Sequence, residues 1–153
     1  MKLVWLVCLI FGLSTVTFAD ERKQKVAELT QFITKQQGKV VYVDFWASWC
    51  IPCRQSFPWL NNMVEKYQDR GLQVVSVNLD ADKDNATQFL AEFPASFPVI
   101  YDAKGYIARK FKLPGMPSSM LFDRQGQLIA THVGFNSEKQ QKFQQEITLL
   151  LED

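Results

Sequence analysis

The segment Val40–Trp46 most constrains what this chain can fold into. All of its residues are Val, Tyr, Phe or Trp except Asp44. β-Branched and aromatic side chains favour extended backbone. A strand apolar on both sides needs cover on both faces, which is the setting of a central, largely parallel strand between helices. Helical spacing precedes it: Val26, Leu29, Phe32 and Ile33 predict an amphipathic helix over residues 22–36, ended by Gly38. Helical spacing resumes after Trp49 through Phe57, Leu60, Met63, Val64 and Tyr67, and Gly71 closes that helix. Residues 72–79 form a second, Val-rich strand. Strand, helix and strand in such close succession make a βαβ unit with parallel strands.

Residues 80–85 read as a charged turn. Phe89, Leu90 and Phe93 mark a short helix that Pro94 helps to end. Residues 97–101 are a further short strand, and residues 107–111 a turn or two of helix. Met120, Leu121 and Phe122 form a strand, residues 123–126 a turn, and residues 128–133 another strand, together an antiparallel hairpin. Ser137 reads as the N-cap of a closing helix lined by Phe143, Ile147, Leu150 and Leu151. The fold class is α/β: a central mixed sheet flanked by helices, with an αβ insertion after the second strand of the βαβ unit. A chain of 153 residues is long enough for one such domain with a real core.

The N-terminus reads as a targeting segment. Lys2 precedes an apolar run over residues 3–13, and small residues lead to a cleavage site after Ala19. Residues 1–19 are thus a signal peptide and residues 20–153 the folded domain. The rival reading is an uncleaved anchor, since the uncharged run is near the lower limit for a spanning helix. Either way the domain is placed in the periplasm or another extracytoplasmic compartment. Removal of Lys2 with the leader balances acids and bases at 16 each. That balance speaks against a nucleic-acid partner, which asks for a basic excess. Of the three cysteines, Cys8 leaves with the leader. Cys50 and Cys53 remain.

Two cysteines separated by Ile51 and Pro52 at a helix start can close a disulfide. Cys50 sits where strand gives way to helix, so unpaired N–H groups and the positive end of the helix dipole face its sulfur. Such placement lowers a cysteine pKa from about 8.5 to roughly 3.5–7.5. Arg54 adds a screened positive charge. Pro52 falls in the first turn, where its missing N–H is harmless. Cys53, inside that turn, is the more buried, resolving thiol. Three other readings fit the spacing. A zinc site needs four protein ligands, and the mature chain has no further cysteine and a single histidine, His132. A static disulfide suits an exported domain. A soft metal such as Cu(I) between the two thiolates would make the chain a copper-assembly protein. No cofactor is otherwise implied.

The run Val43-Asp44-Phe45-Trp46-Ala47-Ser48-Trp49-Cys50-Ile51-Pro52-Cys53-Arg54, with Phe57-Pro58 after it, resembles the thioredoxin active-site signature. Gly115-Met116-Pro117-Ser118-Ser119-Met120-Leu121-Phe122-Asp123 resembles the second signature of that superfamily. The insertion and the leader narrow the resemblance to the extracytoplasmic TlpA, ResA and CcmG group, over about residues 25–150. The resemblance implies a thioredoxin fold and a thiol–disulfide oxidoreductase, acting on protein thiols and disulfides as a monomer and serving as a reductant. It implies a membrane thiol-electron donor of the DsbD kind as partner. It makes Cys50 and Cys53 the redox pair and Pro117 a cis proline facing it, with Trp49, Met116 and Pro117 against the substrate. It gives Asp44, an acid inside an apolar strand, the role of moving the Cys53 proton. The competing reading of Asp44 is structural hydrogen bonding. Trp46 serves equally well as rim or core, and His132 reads as a satisfied, partly exposed strand histidine.

Overall fold

A computed structural model describes residues 17–152. The predicted leader lies outside the described residues as far as Val16. Its last residues do not: Thr17 caps the first helix, α1 (Phe18–Lys35), which starts four residues before the predicted one. No helix among the described residues is long and apolar enough to cross a membrane. Strand β1 (Val40–Trp46) follows, then α2 (Ile51–Tyr67) and β2 (Leu72–Asn78). Gly71 joins the last two with a left-handed backbone at φ 99°, a conformation that favours glycine.

The insertion is α3 (Lys83–Glu92), β3 (Val99–Tyr101) and α4 (Tyr106–Lys110). Half of the expected charged turn belongs to α3, because Asp82 accepts from the Asp84 N–H and caps the helix. The hairpin β4 (Ser118–Phe122) and β5 (Leu128–Val133) leads to α5 (Ser137–Glu152). Its cap is Asn136, whose side chain accepts from the Lys139 N–H; Ser137 is already helical. Both residues are good caps, and the one with the bonded N–H prevails.

The sheet order is β3-β2-β1-β4-β5. β1 pairs in parallel with β2 and antiparallel with β4, which makes the sheet mixed with β1 at its centre. Alternation along β1 splits the core. Val40, Tyr42 and Trp46 face Cys53, Phe57 and Leu60 of α2, Phe89 of α3 and Phe143 and Ile147 of α5. Val41, Val43 and Phe45 face Leu29 and Ile33 of α1 and Ile107 of α4. Every residue of β1 is buried because helices cover both faces.

Candidate active site

Residues 47–50 carry the chain from the end of β1 into α2. Cys50 is the N-cap residue of α2, with extended backbone and no side-chain oxygen capping the helix, and Pro52 stands in the first turn. The Cys50 sulfur thus lies at the positive end of a helix of 17 residues. The two sulfurs are bonded across a Cα separation of 5.4 Å, inside the range a disulfide needs. Cys53 has no exposed surface and Cys50 keeps only 4%. The order of burial is the expected one.

The loop is held from β2. The Asp80 carboxylate accepts from the Ser48 N–H at 2.9 Å, from the Ser48 hydroxyl at 2.7 Å and from the Asn78 amide at 2.7 Å. Three such bonds to a buried charge fix where β1 ends and α2 begins. In the sequence Asp80 reads only as the start of a charged turn. Its one signal is its place directly after an apolar strand.

Asp44 lies on β1 between Tyr42 and Trp46, on the face beneath the first turn of α2. It is 3% exposed, and its Oδ2 has no hydrogen-bond partner among the described residues. Burial pushes its carboxyl well above the ordinary carboxylate range. Trp46 is fully buried, packs on Phe57 and Phe89, and donates from Nε1 to the Ser76 hydroxyl. It is core, and it leaves the rim to others.

The Met116–Pro117 peptide bond is cis. The Pro117 carbonyl accepts from the Gly134 N–H. Met116, half-buried ahead of β4, makes no backbone hydrogen bond among the described residues. Its free N–H and C=O are the requirement for pairing with an extended segment of a partner. Trp49 and Ile51 flank the disulfide and are 66% and 73% exposed. A cavity of about 210 Å³ continues the rim from Trp49 and Arg54 to Gln88 and Glu92 of α3. A larger one, about 650 Å³, lies between α1 and α4 on the far face of the sheet and contains none of these residues.

His132 is 7% exposed, more buried than its strand position implies. It lies on β5, stacked on Phe143 of α5 at 3.9 Å, which closes over that face. Its two nitrogens meet Ser119 and Glu146. Among the described residues, no group of three or more His, Cys, Asp or Glu side chains is placed to hold a metal ion.

A family model for Redoxin matches residues 17–147, which takes in the disulfide, Asp44, the cis proline and the whole sheet. The chain belongs to the Redoxin family. Within that family it is similar to ResA, the thiol-disulfide oxidoreductase of Bacillus cereus, at 26% identity over 135 residues, covering 80% of this chain and 78% of that protein. The ResA of Bacillus thuringiensis subsp. konkukian is 29% identical over 116 residues, and there the chain spans 65% of the relative's length. A solved structure from Chlorobium tepidum, provisionally named thiol:disulfide interchange protein DsbE, is 50% identical. It superposes with a TM-score of 0.75 over 78% of this chain and 84% of its own. The Redoxin-family chain is thus ResA- and CcmG-like, and its sheet and helices are a thioredoxin fold. Residues that the sequence does not single out complete the site: Asp80 and Asn78 behind the loop, and Ser76 and Ser119 beside Asp44.

Proposed function

We propose that this thiol–disulfide oxidoreductase reduces protein disulfides outside the cytoplasm. The observation that carries the reading is the helix-start disulfide Cys50–Cys53, with a buried carboxyl behind it and an open backbone edge in front. The Cys50 thiolate attacks one sulfur of a partner disulfide, forming a mixed disulfide and releasing the other partner sulfur as a thiolate. Asp44 takes the proton of Cys53. The Cys53 thiolate then attacks the Cys50 sulfur, and the partner's second sulfur leaves. Two electrons have passed to the partner, and the chain holds its disulfide again. Trp49, Met116 and Pro117 receive the partner strand through main-chain pairing and apolar contact.

The direction rests on what the site offers a thiolate. Strong oxidants of this fold owe their potential to a stabilised reduced form. Here Ile51 and Pro52 contribute no side-chain donor, Pro52 also lacks an N–H, and Asp44 is an acid. Arg54 is exposed and screened. Beyond the helix N-terminus the surroundings add little to the Cys50 thiolate, and a modestly stabilised reduced pair suits the reductant role that the likeness to the ResA and CcmG group supports. A donor dithiol, of the membrane DsbD kind, restores the reduced state, and the domain acts as a monomer. The apolar segment over residues 3–13 supports export. Equilibration of the purified chain against glutathione is expected to give a potential below about −230 mV, nearer thioredoxin than protein disulfide isomerase. A value above about −180 mV would make it an oxidant or isomerase.

A further inference from the structure

Register places four polar side chains in one row across the sheet. Asp44 of β1 is opposite Ser76 of β2 and Ser119 of β4, and Ser119 is opposite His132 of β5. Directly opposed residues share a face, so the whole row lies beneath α2 and α5. All four side chains are buried. A buried polar row in an apolar layer is costly unless its members satisfy one another.

Most of it is satisfied as a chain that leads outward. The Tyr42 hydroxyl donates to Ser119 Oγ at 2.6 Å. Ser119 Oγ is 3.2 Å from His132 Nδ1, and His132 Nε2 is 2.6 Å from Glu146 Oε2. One set of protons suits every bond: Tyr42 donates to Ser119, Ser119 donates to Nδ1, and Nε2–H donates to the Glu146 carboxylate. Glu146 is the end that reaches solvent, with 31% of its side chain exposed and Lys142 Nζ at 3.9 Å. The inner end is Asp44, whose Oδ2 is buried and unpartnered. One cross-strand step separates it from Ser119, about 5 Å between Cβ atoms. The route requires a carboxyl rotamer or one water to span that distance.

We propose that Ser119, His132 and Glu146 are the route by which Asp44 exchanges its proton with solvent while a partner covers the front of the site. This rests on the proton-transfer role proposed for Asp44. Before it can take the Cys53 proton, the buried Asp44 carboxyl passes its own proton to Ser119 Oγ as Ser119 passes its own to His132 Nδ1. The ring releases the Nε2 proton to Glu146, which gives it to water. No atom is lost; the ring ends in its other tautomer, and the reverse transfer restores it when the donor dithiol re-reduces the pair, Asp44 returns a proton to Cys53 and Asp44 regains one from solvent along the same chain. The imidazole is suited to this, since burial holds it below its ordinary pKa against the pull of Glu146. It is neutral near pH 7 and can both accept and donate. The titratable groups facing it are Tyr42 from β1 and Glu146 and Lys142 from α5. His132 is a positioning residue in this scheme; it touches no reacting sulfur.

The test separates the two steps of a single turnover with a disulfide-bonded reporter peptide between pH 6 and 9. His132→Gln keeps an acceptor and a donor for Ser119 and Glu146 but cannot change tautomer. It is expected to slow the Cys53 step about tenfold, less than the roughly hundredfold or more of a lost general base, because His132 acts through Asp44. The Cys50 attack should keep its rate. In an Asp44→Asn background the same substitution should have no further effect. Equal slowing of both steps, or a loss that multiplies with that of Asp44→Asn, would show a merely structural role. A fast His132→Gln beside a slow Asp44→Asn would overturn the route and leave Asp44 standing. A fast Asp44→Asn would overturn both. Glu146→Gln on the surface side serves if His132→Gln does not fold, with about the same tenfold expectation.

Discussion

Cys50→Ser is expected to reduce disulfide exchange to the uncatalysed rate. The thiolate is the nucleophile of this reaction, and a hydroxyl at the same N-cap does not ionise near neutral pH. Cys53 cannot take over, since it has no exposed surface with which to reach a partner. The fold should survive. The disulfide closes a small ring with a sequence separation of 3, and a ring of that size stabilises by roughly 2 kcal/mol on the chain-entropy account. Turnover of a protein disulfide, read beside thermal unfolding of the variant and of the reduced parent, checks both halves. Retained turnover with Cys50→Ser would remove Cys50 from the mechanism.

Asp44→Asn is expected to have the second largest effect and to divide activity from stability. Activity at neutral pH should fall about a hundredfold, the size of a lost general base. Stability should rise. The Asp44 carboxyl is held above its ordinary range by burial, so the folded chain binds a proton that the unfolded chain has already released. Folded stability then declines as pH rises from the unfolded pKa, near 4, up through the raised folded value. Asn carries no such dependence. Its advantage over Asp44 should be absent below about pH 4 and grow with pH until Asp44 is ionised in both states. Denaturant unfolding across that range measures the crossover. An Asn variant that loses stability at about pH 8, well above the unfolded pKa, would mean that Asp44 is held by bonds.

The parts of the site that can be read from the chain are those encoded locally. Val40–Trp46 is a strand because nearly all of its side chains suit a pleated, covered surface, and Cys50 starts a helix because Pro52 and the apolar spacing after it favour one there. Asn136 and Asp82 are harder, since adjacent polar residues compete for a cap and only the bonded N–H decides between them. The leading edge of β4 is also hidden: Ser118 and Ser119 look like loop residues and become strand through pairing with Phe45 and Asp44. The polar row across the sheet is illegible for the same reason. Register between strands far apart in sequence depends on how whole faces pack, and no local pattern links Asp44 to Ser119 or His132. Asp80 belongs here too, because its partners Ser48 and Asn78 come together only once β1 and β2 are paired.

The central claim is that Cys50 and Cys53 are a working dithiol and not a static bridge. Its most direct test is a Cys53→Ser chain expressed in its own compartment, with free thiols blocked on lysis and disulfide-linked species resolved by mass spectrometry. The account predicts covalent adducts between Cys50 and cysteines of partner proteins, dissolved by reductant and absent from a Cys50→Ser, Cys53→Ser control. A Cys53→Ser chain recovered with Cys50 free and linked to no partner would contradict it.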